Sequence, residues 1–265
     1  MRARTKKILF SFSLLVFLFF YIPILFVIIF SFNDSKLGTV WTGFTLEWYG
    51  SLFKNSQLIG ATLNSLYIAV ITTIIATILG TLAALALHRY TFIGKKSVEF
   101  LFYIPVVIPD IVVAVALLAI YGLLNMSLGL NTAIPGHVAI TISYVMLVVL
   151  ARLSSFDSSL EEAAKDLGAN EWQTFWRVTF PLIFPGIMAG ALLAFTISLD
   201  EFVISFFTLG PGSNTLPVLV YSMVRLGVSP EVNALSTIII LLMVIVVVVV
   251  GLRMRKGENL NEKKL

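Results

Sequence analysis

Three carboxylates stand where a carboxylate is expensive. Asp110, Asp200 and Glu201 each fall inside a long apolar run. A charged side chain at the centre of a membrane helix costs about 2.5–3.5 kcal/mol on insertion scales. Such residues normally face a cavity or a partner. A polycation needs carboxylates along its path, because an ammonium leaving water needs a countercharge. A structural polar contact between subunits would use the same residues. Neighbouring helical residues point about 100° apart, so Asp200 and Glu201 serve different directions. Asp200 shares a face with Thr196, and Glu201 with Ser198 and Ser205. One is expected to line a path and the other to meet a neighbouring subunit. Tyr221 is a further candidate, since its ring could stack on a cation. His88 reads as a helix-end dipole partner and His137 as packing. Two isolated histidines make no metal site. Without cysteine there is no thiolate nucleophile, disulfide or cysteine-ligated metal.

The elements that must position these acids are membrane helices. Of 265 residues, 58% are hydrophobic and 12% charged, against about 25% charged in a soluble domain. Mean hydropathy is +0.99. Apolar runs lie near 8–32, 62–87, 100–121, 134–151, 182–206 and 233–252. A span needs roughly 20 apolar residues, so an all-α membrane protein with six transmembrane helices is predicted, as one domain over 1–265. The runs are continuous rather than alternating, which argues against a barrel. The first run is longer than a signal-peptide core and reads as a retained span. With the N-terminus cytoplasmic, fifteen Lys and Arg fall on inner segments and three (Lys36, Lys54, Arg225) on outer ones. That bias places both termini inside. It also accounts for the net charge of +4 without any nucleic acid.

Pro105 and Pro109 predict a kink in the third span, just before Asp110. The first outer loop, about 33–61, carries Trp41, Trp48 and Tyr49. They fit an interfacial aromatic belt or a docking surface for an outside partner. "VLVYSMVRL" in the loop after span 5 predicts a short helix. "GIMAG", 186–190, is a small-residue pair suited to helix packing.

One segment breaks the lipid pattern: "EEAAKDLGANEWQTFWRVTFP", residues 161–181, in a loop at 158–181. Ser158 or Ser159 can cap a helix, with Glu161 or Glu162 closing a capping box. Leu160, Ala163, Ala164 and Leu167 fall on one apolar face. Glu161 and Lys165 are spaced to pair, and Gly168 suits the C′ position. A second short helix starts at Asn170, with Gln173 three residues on. Trp172, Phe175, Trp176 and Thr179 line one side, and Pro181 is expected to end it. A lipid-surface anchor explains the tryptophans. It explains Glu161, Glu162, Asp166 and Glu171 less well, since anionic lipid repels acids. A protein groove accepting the small alanine face explains both.

This segment resembles the EAA loop of the membrane subunits of bacterial ABC importers. The pattern is kept at Glu162, Ala163, Ala164, Gly168 and Pro181, with Val178 and Phe180 as the apolar residues before the proline. "PDIV" at 109–112, "SLDEF" at 198–202 and "SPEVNALSTI" at 229–238 are similar to the C-type permease of spermidine/putrescine importers. Glu201 stands where that resemblance predicts a second Asp. The resemblance implies the type I importer permease fold in a bacterial inner membrane. It implies a coupling helix docked on an ATPase dimer, a second permease subunit and an extracytoplasmic binding protein. ATP and magnesium would belong to the ATPase subunits, and this chain would bind no cofactor; it has no G-x-x-x-x-G-K-[ST] loop. Polyamine import is the function implied.

Three rivals are distinguishable. A proton- or sodium-driven transporter would show broken helices in both halves, whereas the kink signals lie mainly in span 3. A related importer for an anionic solute would place bases in the path, and the spans hold almost none. A membrane scaffold would not need three intramembrane acids.

Overall fold

The computed structural model describes residues 3–35, 40–155, 157, 159–226 and 230–262. Ser158, Ser229, Lys36 and three of the fifteen inner-segment bases (Arg2, Lys263 and Lys264) lie outside them. The described residues are helical throughout, apart from turns and one isolated bridge between Asn33 and Phe44. Among the described residues five helices are long and apolar enough to cross a membrane, six if one bent pair counts as a single span.

Two compact units are formed. The first holds residues 1–59 and 220–265. Here α1 (Ala3–Phe30) and the short α2 (Glu47–Leu52) both pack on a long C-terminal helix, Pro230–Glu262. The apolar stretch of α1 buries none of its residues within the chain, as expected of a helix whose solvent is lipid. Asn33 organises the loop between α1 and α2. Its amide donates to the Val40 carbonyl at 2.8 Å and its Oδ1 accepts from the Thr42 N–H at 2.9 Å. Trp48, 9% exposed, donates its indole N–H to the Asn33 carbonyl at 2.6 Å. Tyr49 shares a hydrogen bond with Ser31 at 2.7 Å. Both rings brace the loop, and Trp41 is the one of the three aromatic candidates that stays broadly exposed.

The second unit, residues 60–219, carries most of α3 (Ser56–Arg89), then α4 (Lys95–Val107), α5 (Asp110–Leu123) and α6 (Leu130–Ser154). It continues with α7 (Ser159–Asp166), α8 (Glu171–Thr174), a π turn at Phe175–Thr179, α9 (Phe180–Asp200) and α10 (Val203–Thr208). α11 (Leu216–Leu226) leads out of it towards α12, the Pro230–Glu262 helix. The core joins α3, α6 and α9 through Ala76, Ala84, Val145, Met146, Val149, Ile183 and Ile187. Lipid is as apolar as these side chains, so close packing rather than water exclusion drives such contacts. Small residues permit it. A Cβ on Gly186 would lie 2.8 Å from Arg152 Cβ, and one on Gly190 would lie 3.3 Å from Val145 Cγ1. That is the packing role read from the GIMAG spacing.

Two helix breaks position the acids. The third apolar run is bent by 104° between α4 and α5. Pro105 stays inside α4, and Pro109 makes the break. Ile108, just before it, is extended at ψ 133°, because a following proline disfavours the helical region. The second break was not expected. α9 ends at Asp200, Glu201 is extended at ψ 103°, and α10 restarts at Val203. No glycine or proline marks it.

Pro181 does not end the second loop helix. Helix continues through the π turn at Phe175–Thr179 into α9, with Pro181 in the first turn of α9. A proline removes one N–H and crowds the carbonyl four residues back. The wider turn accommodates both without a stop.

Candidate coupling loop and intramembrane acid site

The loop between α6 and α9 is built from local rules. The Ser159 N–H donates to Asp157 Oδ1 at 3.0 Å, so Asp157 meets a free donor at the start of α7; the expected Ser158 cap lies outside the described residues. That hydrogen bond holds the Asp157 carboxyl below its ordinary range. α7 closes on Gly168 at φ 89°. The Gly168 N–H meets the Lys165 carbonyl at 2.9 Å and the Ala169 N–H meets the Ala164 carbonyl at 3.0 Å. This is the Schellman pattern with glycine at C′. α8 opens with the expected reciprocal box: the Gln173 N–H donates to Asn170 Oδ1 at 2.9 Å, and the Asn170 N–H to Gln173 Oε1 at 3.1 Å.

The expected Glu161–Lys165 pair does not form. Lys165 reaches across the glycine turn to Glu171 at 2.6 Å, and that contact raises its pKa. Glu161 turns inward instead. Its carboxylate accepts from the Arg89 guanidinium at the end of α3 and from the Thr179 hydroxyl of the π turn. Arg89 also donates to Thr179 Oγ1 at 2.9 Å. The triad ties α7, α3 and the base of α9 together. A carboxylate offered two donors in a partly dry site accepts from them in preference to a more exposed lysine that has its own partner.

What remains outward is a mixed face. Leu160 is 47% and Leu167 89% exposed, with Glu162, Ala163 and Asp166 beside them. Ala164 is half-buried. Trp172 is exposed and stacks edge-on to Trp176, while Thr179 is buried and Phe175 half-buried. The four residues expected on one side of the second helix are thus divided between inside and outside.

The acid site lies at the two breaks. Asp110 is the first residue of α5, Asp200 the last of α9, and Glu201 lies between α9 and α10. Both aspartates lie within electrostatic reach of the Glu201 carboxylate. α10 packs on α5, with Ala114, Ile140 and Ile204 buried between α5, α6 and α10. Glu201 Oε1 accepts the Ile204 N–H at 3.0 Å, satisfying a donor freed where α10 begins. Asp110 likewise meets a helix N-terminus, where negative charge is favoured. Asp110 and Asp200 are exposed and Glu201 is half-buried. Glu201 therefore does not continue the face of Ser198 and Ser205, as an unbroken helix would require. Those two serines meet His137 instead. Tyr221 belongs to the other unit. Its ring already carries a cation, with the Arg225 guanidinium carbon 4.8 Å from the ring centroid.

Residues 76–256 match the family described as binding-protein-dependent transport system inner membrane component. The chain belongs to this family. It is 42% identical over 230 residues to the spermidine/putrescine transport system permease protein PotC of Escherichia coli (strain K12), covering 87% of each chain. It is 44% identical over 234 residues to the putrescine transport system permease protein PotI of the same strain, covering 86% of this chain and 83% of that one. Among solved structures, a chain of the bacterial alginate ABC transporter, in complex with an alginate pentasaccharide-bound periplasmic protein, superposes with a TM-score of 0.71. The identity is 18%, and 96% of each chain is covered. The fold is thus that of an ABC importer membrane subunit. The family also decides against the secondary transporter. Kink signals in span 3 do not by themselves exclude that transporter, because the chain also breaks after Asp200.

Proposed function

We propose that this chain is one of two permease subunits in an ATP-driven polyamine importer of a bacterial cytoplasmic membrane. The placement of Asp110, Asp200 and Glu201 at two helix breaks, with α10 packed on α5, carries the reading. Broken helices are tolerated in a membrane where they line a cavity, and three carboxylates suit a substrate with several ammonium groups. The relatives named for spermidine and putrescine agree with that chemistry. An extracytoplasmic binding protein would deliver the amine, and Trp41 is an exposed aromatic available to meet it. Two ATPase subunits would hold ATP and magnesium, and one of them would grip the outward face of α7 at Leu160, Glu162, Ala163, Asp166 and Leu167. Glu161 would not take part in that grip. It passes motion of α7 to α3 through Arg89 and to α9 through Thr179.

The test is competition in cells that depend on this chain and its partners for labelled spermidine uptake. Excess putrescine should suppress uptake, and an anionic solute such as an aminophosphonate should not. Suppression by the anion alone would move the assignment to another solute.

A further inference from the structure

His137 read as a packing residue in the sequence, and its surroundings make it more. It lies in α6 and is 1% exposed. Its Nδ1 is 2.8 Å from Ser198 Oγ and its Nε2 is 3.0 Å from Ser205 Oγ. Both serines are buried. A neutral imidazole has one N–H and one lone pair, and a hydroxyl can donate or accept. Either tautomer therefore pairs both ring nitrogens.

The two serines flank the break. Ser198 lies in α9 before Asp200, and Ser205 lies in α10 after Glu201. One imidazole thus joins α9 to α10 across the break, and its two hydrogen bonds fix where α10 sits relative to the end of α9.

Neighbours of His137 hold α10 in the same place. A Cβ on Gly136 would lie 2.6 Å from Ile204 Cγ2, so the glycine lets α10 approach α6. Thr132 Oγ1 is 2.8 Å from the Thr208 carbonyl at the end of α10.

We infer that His137 is a positioning residue: it clamps the α9–α10 break and so holds Asp200 and Glu201 beside Asp110. This rests on the reading that those carboxylates line the substrate path.

The chain has no cysteine, so a pair of introduced cysteines, labelled before assembly with the partner subunits, carries the only spin labels on it. Labels at Leu193→Cys and Phe206→Cys, both exposed, would be read in the transporter assembled with its partner subunits. A narrow distance distribution is expected. His137→Ala should broaden it, and His137→Gln, whose amide both donates and accepts, should restore it. In proteoliposomes His137→Ala should raise the KM for spermidine about tenfold at unchanged maximal ATP hydrolysis, and His137→Gln should bring it back. If His137→Ala does not assemble, Ser205→Ala removes half of the clamp and is read instead. An unchanged distribution would overturn the clamp. A broadened distribution with an unchanged KM would overturn the positioning role. A wild-type transporter that moves no polyamine would overturn the substrate reading, while the distances would still decide the clamp.

Discussion

Asp200 and Glu201 differ in what the fold asks of them. Glu201 receives a backbone N–H of α10 at 3.0 Å, whereas Asp200 ends α9 with its side chain exposed. Asp200→Asn should therefore lower polyamine uptake about tenfold, expressed as uptake per assembled complex. Equal loss of uptake and assembly, measured by co-purification with the partner subunits, would make Asp200 a structural acid. Gly168 offers a different test. No atom lies within 4 Å of a Cβ placed there, but its φ is 89°. Gly168→Ala should cost about 1–2 kcal/mol through backbone strain alone. It should weaken retention of the ATPase subunits on the membrane complex without lowering the amount of this chain in the membrane. Gly168 and the Asn170–Gln173 box were legible because caps are local. The Asp157 bond to the Ser159 N–H does not stand out in the sequence, since neighbouring serines offer the same kind of cap.

At the scale of elements, apolar runs and proline placement reveal the long helices and the α4–α5 break. The α9–α10 break is held by His137, which lies 61 and 68 residues from its two serines, and no window of sequence contains that contact. The joint at Glu161 is hidden for the same reason, its partner Arg89 being 72 residues away. This joint supports two predictions. Glu162→Lys leaves the triad intact, so the protein should reach the membrane and fold, while ATP-driven uptake falls because the docking face is spoiled. Unchanged transport in that variant would remove the docking role. Arg89→Glu leaves Glu161 facing a like charge in a partly buried site, where an unpaired group costs about 1–3 kcal/mol. Uptake should fall at preserved ATPase binding, and adding Glu161→Arg should restore part of it. Additive losses in the double variant, measured as uptake per complex, would show that the two residues act separately.

At the scale of the molecule, α9 links the chemistry of two surfaces. It begins at the π turn, where Thr179 bonds the coupling loop, and ends at Asp200, where the acids gather. A push on α7 thus has a continuous helical route to the acids proposed to line the substrate path. The measurement that tests this account most directly is uptake of radiolabelled spermidine and putrescine into cells lacking their own importers. The chain would be expressed with and without its partner subunits, and ATP would be depleted or held up in the presence of an uncoupler. The account predicts uptake that needs the partners and collapses on ATP depletion. Uptake by the chain alone, sensitive to the uncoupler while ATP is held up, would contradict it.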